Sequence, residues 1–396
     1  MTESTGSAGR ATGQPPLRAG LVGCGSVSQR GILPHLSVAD ARESVRLVAL
    51  VDTVEERARR SAERFEAPAY YTSVEAMLAE AELDVVLVAT PIPYHFANAM
   101  AAIAAGKHVY VQKTMTTTVA DADTLLAARD RAGVKLAAAP GYELFPTTAR
   151  MREIVTSGVL GQVYVAYTYM LGFGHEREPI REGAGALAAI DPSWYYRAGA
   201  GPLPDVTVYS LQLVTSVLGP VARVTALGNK RVPQRIWQGK TIPLETEDNN
   251  MVLMEFASGT LCVATGSDCR GSDRIPWGGL NLFGTAGVLE ITDVDWASGY
   301  PLRFDVQDGA WPAGTLREGE RYQYGVTLTD SPYIVGEHLS IEEPHLYADI
   351  MDLVEAIRDD RPPRATGEQA RHVVEIIEKA QAAMRTGQTQ ALTTTF

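Results

Sequence analysis

Apolar and polar positions along the chain fall into two regimes. Residues 17–140 alternate short, continuously apolar runs (19–22, 45–51, 84–89, 108–111 and 134–139) with helix-period segments (27–33, 55–65, 74–80, 96–105 and 122–132). Runs without a polar alternate predict strands covered on both faces. Strands alternating with helices predict a doubly wound parallel sheet, an α/β Rossmann domain over residues 17–140. From residue 141 to 396 the pattern predicts an α+β domain. A strand is expected at 162–171, a helix at 202–218, and further strands at 221–227, 250–256, 261–266, 279–283 and 288–291. Together they predict a large, mostly antiparallel sheet with one open face. Amphipathic helices at 345–358 and 367–385 are expected to pack back beside the first domain. Residues 172–200 have little period, and an irregular stretch of that length reads as a functional loop. Residues 293–336 have no clear pattern, and residues 1–16, rich in Ser, Thr, Gly and Pro, read as a disordered tail.

Composition narrows the function. A chain of 396 residues exceeds one compact core, which favours two domains. A net charge of −12 without a basic block argues against nucleic acid. Cys24, Cys262 and Cys269 lack metal-ligand spacing, so neither zinc nor a disulfide framework is expected, and a reducing compartment fits. No run approaches the roughly 18 apolar residues of a membrane span. A cytoplasmic protein with no metal and no membrane partner is expected.

The candidate chemistry sits at strand ends. The first apolar run stops at Gly23 and Gly25, and a helix pattern begins at Ser26 and Val27. Strand, glycine turn and helix make a phosphate cradle, in which the backbone approaches a pyrophosphate and free N–H groups face it. Ser28 occupies the third small position of the glycine fingerprint. Asp52 ends the second run, where a carboxylate accepts hydrogen bonds from adenosine ribose hydroxyls and repels a 2′-phosphate. That favours NAD over NADP, although Arg57, Arg59 and Arg60 stand close by in sequence. Thr90, Pro91, Lys113 and Gly141 close later strands, the edge where such sheets bind ligands. Asp205 and Tyr209, four apart, share one helix face.

Six stretches carry a resemblance: G-L-V-G-C-G (20–25), A-T-P-I-P-Y-H (89–95), G-K-H-V-Y-V-Q-K-T (106–114), S-G-V-L-G-Q-V (157–163), G-P-L-P-D-V-T-V-Y (201–209) and G-T-A-G-V-L-E-I (284–291). In this order and spacing, with G-E-Q-A at 367–370, the chain resembles the Gfo/Idh/MocA family of glucose–fructose oxidoreductase and inositol dehydrogenase-like enzymes. The resemblance implies Lys113 beside a nicotinamide, with Gln112 and Thr114 replacing the family's glutamate and proline. It implies a catalytic set of Lys113, Asp205 and Tyr209, with tyrosine where histidine is usual. Tyr209 would take the hydroxyl proton, its pKa lowered by the ammonium. His95 would lie near the nicotinamide ribose. Tyr142, His175, Glu176, Arg177, Trp194, Tyr195, Tyr196 and Arg197 are candidates to line a sugar pocket. Arg181, Lys230, Arg231, Arg235 and Arg274 are candidates to hold an acid group.

The expected activity is NAD-dependent hydride transfer at a secondary alcohol of a sugar, cyclitol or derivative. The resemblance leaves a redox-neutral glycoside-cleaving enzyme and a non-catalytic sensor as alternatives. It also implies a homodimer or homotetramer formed through the C-terminal sheet.

Overall fold

A computed structural model describes residues 14–178, 181, 189–269, 277–291, 300–306, 324–326 and 332–396. Six parallel strands form the first sheet: β1 (Leu17–Val22), β2 (Val45–Val51), β3 (Ala69–Tyr71), β4 (Val85–Val88), β5 (His108–Val111) and β6 (Leu136–Ala138). Their order is β3-β2-β1-β4-β5-β6, so the chain reverses direction across the sheet beside β1. The helices between them are α1 (Leu33–Ser37), α2 (Ala39–Ser44), α3 (Glu55–Phe65), α4 (Val74–Glu80), α5 (His95–Ala104) and α6 (Val119–Ala132). The helix expected at 27–33 begins instead as a wide π turn, Ser28–Ile32, and Pro34 falls in the first turn of α1, where its missing N–H costs nothing. α3 buries Ala58, Ser61, Ala62 and Phe65, a single stripe at helical spacing. Ser73 and Thr118 cap α4 and α6 by accepting from backbone N–H groups three residues on. The sequence reading misses β3, a three-residue edge strand whose side chains are half exposed and carry no apolar run.

Among the described residues the second sheet has nine strands, β7 (Val163–Leu171), β8 (Val221–Asn229), β11 (Asn249–Phe256), β12 (Leu261–Ser267), β13 (Gly278–Gly284), β14 (Gly287–Ile291), β15 (Tyr300–Val306), β16 (Tyr324–Val326) and β17 (Gln390–Ala391). The order is β16-β15-β14-β13-β7-β12-β11-β8-β17, mostly antiparallel. β7 and β12 are the parallel pair, in register from Leu261 opposite Val165 to Ser267 opposite Leu171. A separate hairpin joins β9 (Arg235–Trp237) to β10 (Lys240–Ile242).

One face of this sheet is covered by helices. α7 (Pro146–Thr156) and α8 (Val208–Leu218) lie in the same buried cluster as the inward residues Val224, Val252, Met254, Ala264 and Leu280. α8 buries nearly every residue, and each Leu or Val it withdraws from water contributes about 1.5–3 kcal/mol. Among the described residues the opposite face carries exposed apolar side chains, Leu227, Met251, Leu253, Leu261, Tyr164 and Tyr167.

α9 (Pro344–Arg358) and α10 (Gly367–Thr386) return to the first sheet. Thr366 bridges Ala137 of β6, and Asp349 of α9 accepts hydrogen bonds from the Tyr110 hydroxyl at 3.2 Å and the Gly141 N–H at 3.0 Å. Among the described residues no helix is long and apolar enough to cross a membrane. Arg274, most of residues 293–336 and most of residues 1–16 lie outside the described residues.

Candidate active site

The glycine turn after β1 is shaped to receive a ligand. Gly23 has φ +99°, and a Cβ there would sit 2.5 Å from the Ala89 carbonyl oxygen, so only glycine fits. At Gly25 nothing lies within 4 Å of the position a Cβ would take. Ser28 donates to the Gly23 carbonyl at 2.6 Å, so the residue that departs from the fingerprint closes the turn. Asp52 stands beside it and accepts from the N–H groups of Cys24 (3.1 Å) and Val54 (2.9 Å) and from Arg57 (3.2 Å). Arg59 and Arg60 pair with Glu56 and do not reach Asp52. An open backbone cradle with a carboxylate on its rim fits a dinucleotide.

Lys113 follows β5, and the Lys113–Thr114 peptide is cis although residue 114 is threonine. The Thr114 hydroxyl donates to the Pro204 carbonyl, tying this strand end to the turn that carries Asp205. That turn is a π turn, Leu203–Thr207, running directly into α8. Lys113 donates to Asp205 twice, to Oδ1 at 2.6 Å and to the backbone oxygen at 2.9 Å. The pair is nearly buried, with side chains 12% and 8% exposed. The face of Tyr209 lies against the ammonium, its ring centroid 5.1 Å from Nζ. Trp277 and His345 pack against the other sides of that ring.

The lowered Tyr209 pKa is corrected. Burial raises it well above the ordinary phenol value, and Glu343 and Asp205 push in the same direction. His345, by contrast, is pushed down to about 3 by burial, with Lys113 and Arg30 adding to it.

The irregular segment after β7 supplies the group that sequence reasoning placed only among the pocket candidates. His175 Nε2 lies 3.1 Å from Asp205 Oδ2, on the side of the carboxylate away from Lys113. Its Nδ1 meets Glu178, whose other oxygen accepts from Arg181 at 2.9 Å. Charges thus alternate along Lys113, Asp205, His175, Glu178 and Arg181. Burial alone would lower the imidazole, yet Glu178 and Asp205 push it up to about 9. Burial alone would raise the Asp205 carboxyl, yet Lys113 and His175 hold it below the usual carboxylate range.

A second cluster fixes this segment from behind. Arg235 of β9 is buried and reaches Glu176 (3.2 Å), Asp248 (3.2 Å) and Asp268 (2.9 Å). Tyr196 donates to Glu176 as well. Asp248, Asp268 and Cys269 come close enough for a metal ion, but the guanidinium already bonds both carboxylates.

Several candidates belong elsewhere. Tyr142, Tyr195 and Tyr196 are core residues, each 0% exposed, so they line no open pocket. The Tyr195 ring does support His175 edge-on at 4.2 Å. Arg177 and Arg197 are exposed. Arg181 and Arg235 are engaged by carboxylates, and Lys230 donates to the Leu244 carbonyl, so none of these waits for a substrate acid. His95 is buried, with its nitrogens 2.8 Å from the Thr114 oxygen and 2.6 Å from the Thr90 oxygen. It clamps the ends of β4 and β5 together rather than facing a ribose. Gln112 is turned inward and donates to the Tyr110 hydroxyl at 2.8 Å. Thr90 and Pro91 do lie at the sheet edge, partly exposed.

Sequence reasoning missed Glu178, Trp277 and His345. Only Glu178 left a signal, its spacing of three from His175.

Known proteins share this fold. Residues 17–139 match the GFO/IDH/MocA model described as "Oxidoreductase family, NAD-binding Rossmann fold", and residues 148–290 match the GFO/IDH/MocA C-terminal domain. D-glucoside 3-dehydrogenase of Escherichia coli (strain K12) is 29% identical over 204 residues, 52% of this chain and 54% of that enzyme's length. Trans-1,2-dihydrobenzene-1,2-diol dehydrogenase of Mus musculus is 25% identical, over 71% of this chain and 76% of that one. The fold superposes on levoglucosan dehydrogenase in complex with NADH and levoglucosan with a TM-score of 0.77 at 18% identity, covering 96% of this chain and 99% of that one.

Proposed function

The chain belongs to the GFO/IDH/MocA oxidoreductase family, and from that premise we propose that it is an NAD-dependent dehydrogenase of a secondary alcohol on a sugar, cyclitol or similar polyol. The observation that carries this reading is the nearly buried Lys113–Asp205 contact, facing the edge of the sheet where the glycine cradle also opens. The relatives named for sugar and diol oxidation support the substrate class.

NAD, when bound, supplies the acceptor for hydride. Gly23, Gly25 and the turn through Ser26 and Val27 would hold its pyrophosphate, with Asp52 beside the adenosine ribose and Thr90 and Pro91 at the far end of the cradle. Asp52 already occupies Arg57, so a 2′-phosphate would meet a carboxylate first, and NAD is favoured over NADP. Two Lys113 N–H bonds go to Asp205, which leaves the third to donate to an alcohol oxygen and stabilise negative charge that develops there. Asp205 keeps the ammonium from swinging away. The Tyr209 ring limits its approach from the opposite side. Trp194 and Trp277, both partly exposed, offer flat apolar surfaces to a sugar face.

The test is a panel of polyols and aryl glycosides incubated with enzyme and NAD, followed by NADH absorbance and aglycone release together. Net NADH from at least one polyol is expected. Aglycone release without net NADH would replace this reading with redox-neutral cleavage.

A further inference from the structure

Tyr209 packs its ring against the Lys113 ammonium, but its phenol is held protonated by its surroundings. The site nevertheless contains an imidazole, brought in by a different element. His175 sits at the first turn after β7, and Nε2 meets the Asp205 oxygen that Lys113 does not use. We propose that His175 is a positioning and proton-relay residue of this site, holding on Nε2 the proton that the alcohol loses. The proposal rests on the dehydrogenase reading above.

Three observations support it. The contact is direct and lies in line, with Lys113 on Oδ1 and His175 on Oδ2 of one carboxylate. The imidazole is oriented at its other nitrogen by Glu178, the arrangement that fixes a histidine for proton work. The turn that carries it is anchored: Arg235 and Tyr196 grip Glu176, and a Cβ on Gly174 would fall 2.0 Å from the Arg235 guanidinium. A solvated loop histidine needs none of this.

Balance of the step is simple. Oxidation breaks the alcohol C–H bond, whose electron pair leaves with the hydrogen for the nicotinamide of NAD. It also breaks the O–H bond, whose pair becomes the second carbon–oxygen bond. With His175 neutral at the outset, the alcohol proton moves to Lys113 as one Lys113 proton moves to Asp205 Oδ1, and the carboxyl group then turns and gives that same proton to Nε2. Lys113 and Asp205 end unchanged, and His175 ends protonated. Reduction runs the same path backwards.

The groups facing the imidazole are Glu178 and Asp205 at hydrogen-bonding distance, the Tyr195 ring edge at 4.2 Å and Trp194 at 6.2 Å. Lys113 and Arg181 stand behind the two carboxylates, while Arg30 and Asp268 act at longer range. The two nearest carboxylates dominate and raise the imidazole to about 9, so oxidation should quicken with rising pH through that value.

Two measurements on the full chain with NAD bound decide the matter. The first is NMR of protein labelled with 15N-histidine, which has only seven histidines to resolve. The expected result is one imidazole protonated on both nitrogens at neutral pH, absent in His175→Gln, titrating near 9. Its midpoint should fall by about one unit or more in Asp205→Asn or Glu178→Gln. A midpoint near the ordinary 6.5, or one indifferent to both variants, overturns the proposal. The second is the pH profile of kcat with levoglucosan, methyl glucoside and myo-inositol. Wild type should show a rising limb that His175→Gln loses, with kcat down about 100-fold and KM for NAD unchanged. Tyr209→Phe should keep the limb. A limb retained in His175→Gln, or lost in Tyr209→Phe, overturns the relay. If wild type reduces NAD with none of the three polyols, the dehydrogenase reading fails, and the NMR midpoints alone support or overturn the His175 assignment.

Discussion

Lys113 follows a strand of the first sheet and Asp205 lies in the turn before α8, yet Nζ lies 2.6 Å from Oδ1 and 2.9 Å from the Asp205 backbone oxygen. An ammonium following β5 and a carboxylate preceding α8 therefore fix each other. Neither could be left buried alone without a large desolvation cost.

Replacing Lys113 with Met should separate chemistry from cofactor binding. Turnover is expected to fall by about 1,000-fold or more, with NAD affinity within about threefold of wild type. Leaving Asp205 without its ammonium should also lower stability by about 3 kcal/mol. Fluorescence titration with NAD and a urea melt read the two effects. Retained turnover would remove Lys113 from the mechanism.

The two cradle glycines should behave oppositely. Gly23→Ala puts a methyl into the Ala89 carbonyl at a positive φ, so the expected result is loss of folded protein or of several kcal/mol. Gly25→Ala meets nothing in the protein, so its melt should change by less than about 1 kcal/mol. NAD affinity should nonetheless drop about tenfold or more, because the methyl occupies ligand space. A Gly25→Ala protein that binds NAD normally would move the cofactor elsewhere.

Asp52 and Arg57 set the cofactor preference together. Asp52→Ser removes the carboxylate and frees the guanidinium it now holds at 3.2 Å. The ratio of kcat/KM for NADP over NAD should rise at least about tenfold, since an arginine there can accept the 2′-phosphate. An unchanged ratio would mean that Arg57 cannot reach it.

Stability should carry a pH signature of His175. Its folded pKa of about 9 stands above the ordinary 6.5, so its contribution is complete below 6.5 and disappears as pH rises through 9. Asp205 and Glu178 are shifted down, so their contributions are present above the ordinary carboxylate range and lost in acid. The stability gap between wild type and His175→Gln should be largest near pH 6, about 1–3 kcal/mol, and shrink towards pH 9.5. Denaturant melts across that range test it, and a gap independent of pH would contradict the charged imidazole.

The apolar side chains exposed on the outer face of the second sheet predict self-association. Met251 pairs across the sheet with Leu227, and Leu253 lies on the same outward face, all exposed. Sedimentation should find a dimer or tetramer, and Met251→Lys with Leu253→Lys should dissociate it while leaving the inward core untouched. A monomeric wild type would refute this.

Much of the fold was legible in the sequence, because strands buried on both faces leave no polar alternate: the run at 45–51 and the strand Val45–Val51 coincide. β3, β9 and β10 were not legible, since strands of three residues carry too little pattern. Lys113, Asp205 and Tyr209 come together as expected, but the direction of the Tyr209 shift was misread. Burial is a property of the whole surroundings, and neighbours such as Glu343 lie far away in the chain. The partners of Arg181 and of Arg235 were not legible for the same reason, because tertiary contact supplies them.

β7 and β12 run in the same sense, so both leave the sheet at one edge. His175 emerges there after β7 and Asp268 after β12, which is why a single guanidinium can span them through Glu176. Reverse β12 and its exit would move by the length of a seven-residue strand, about 23 Å. The segment bearing the imidazole would then be an unbraced surface loop, and the shared direction of these two strands is what turns it into a wall.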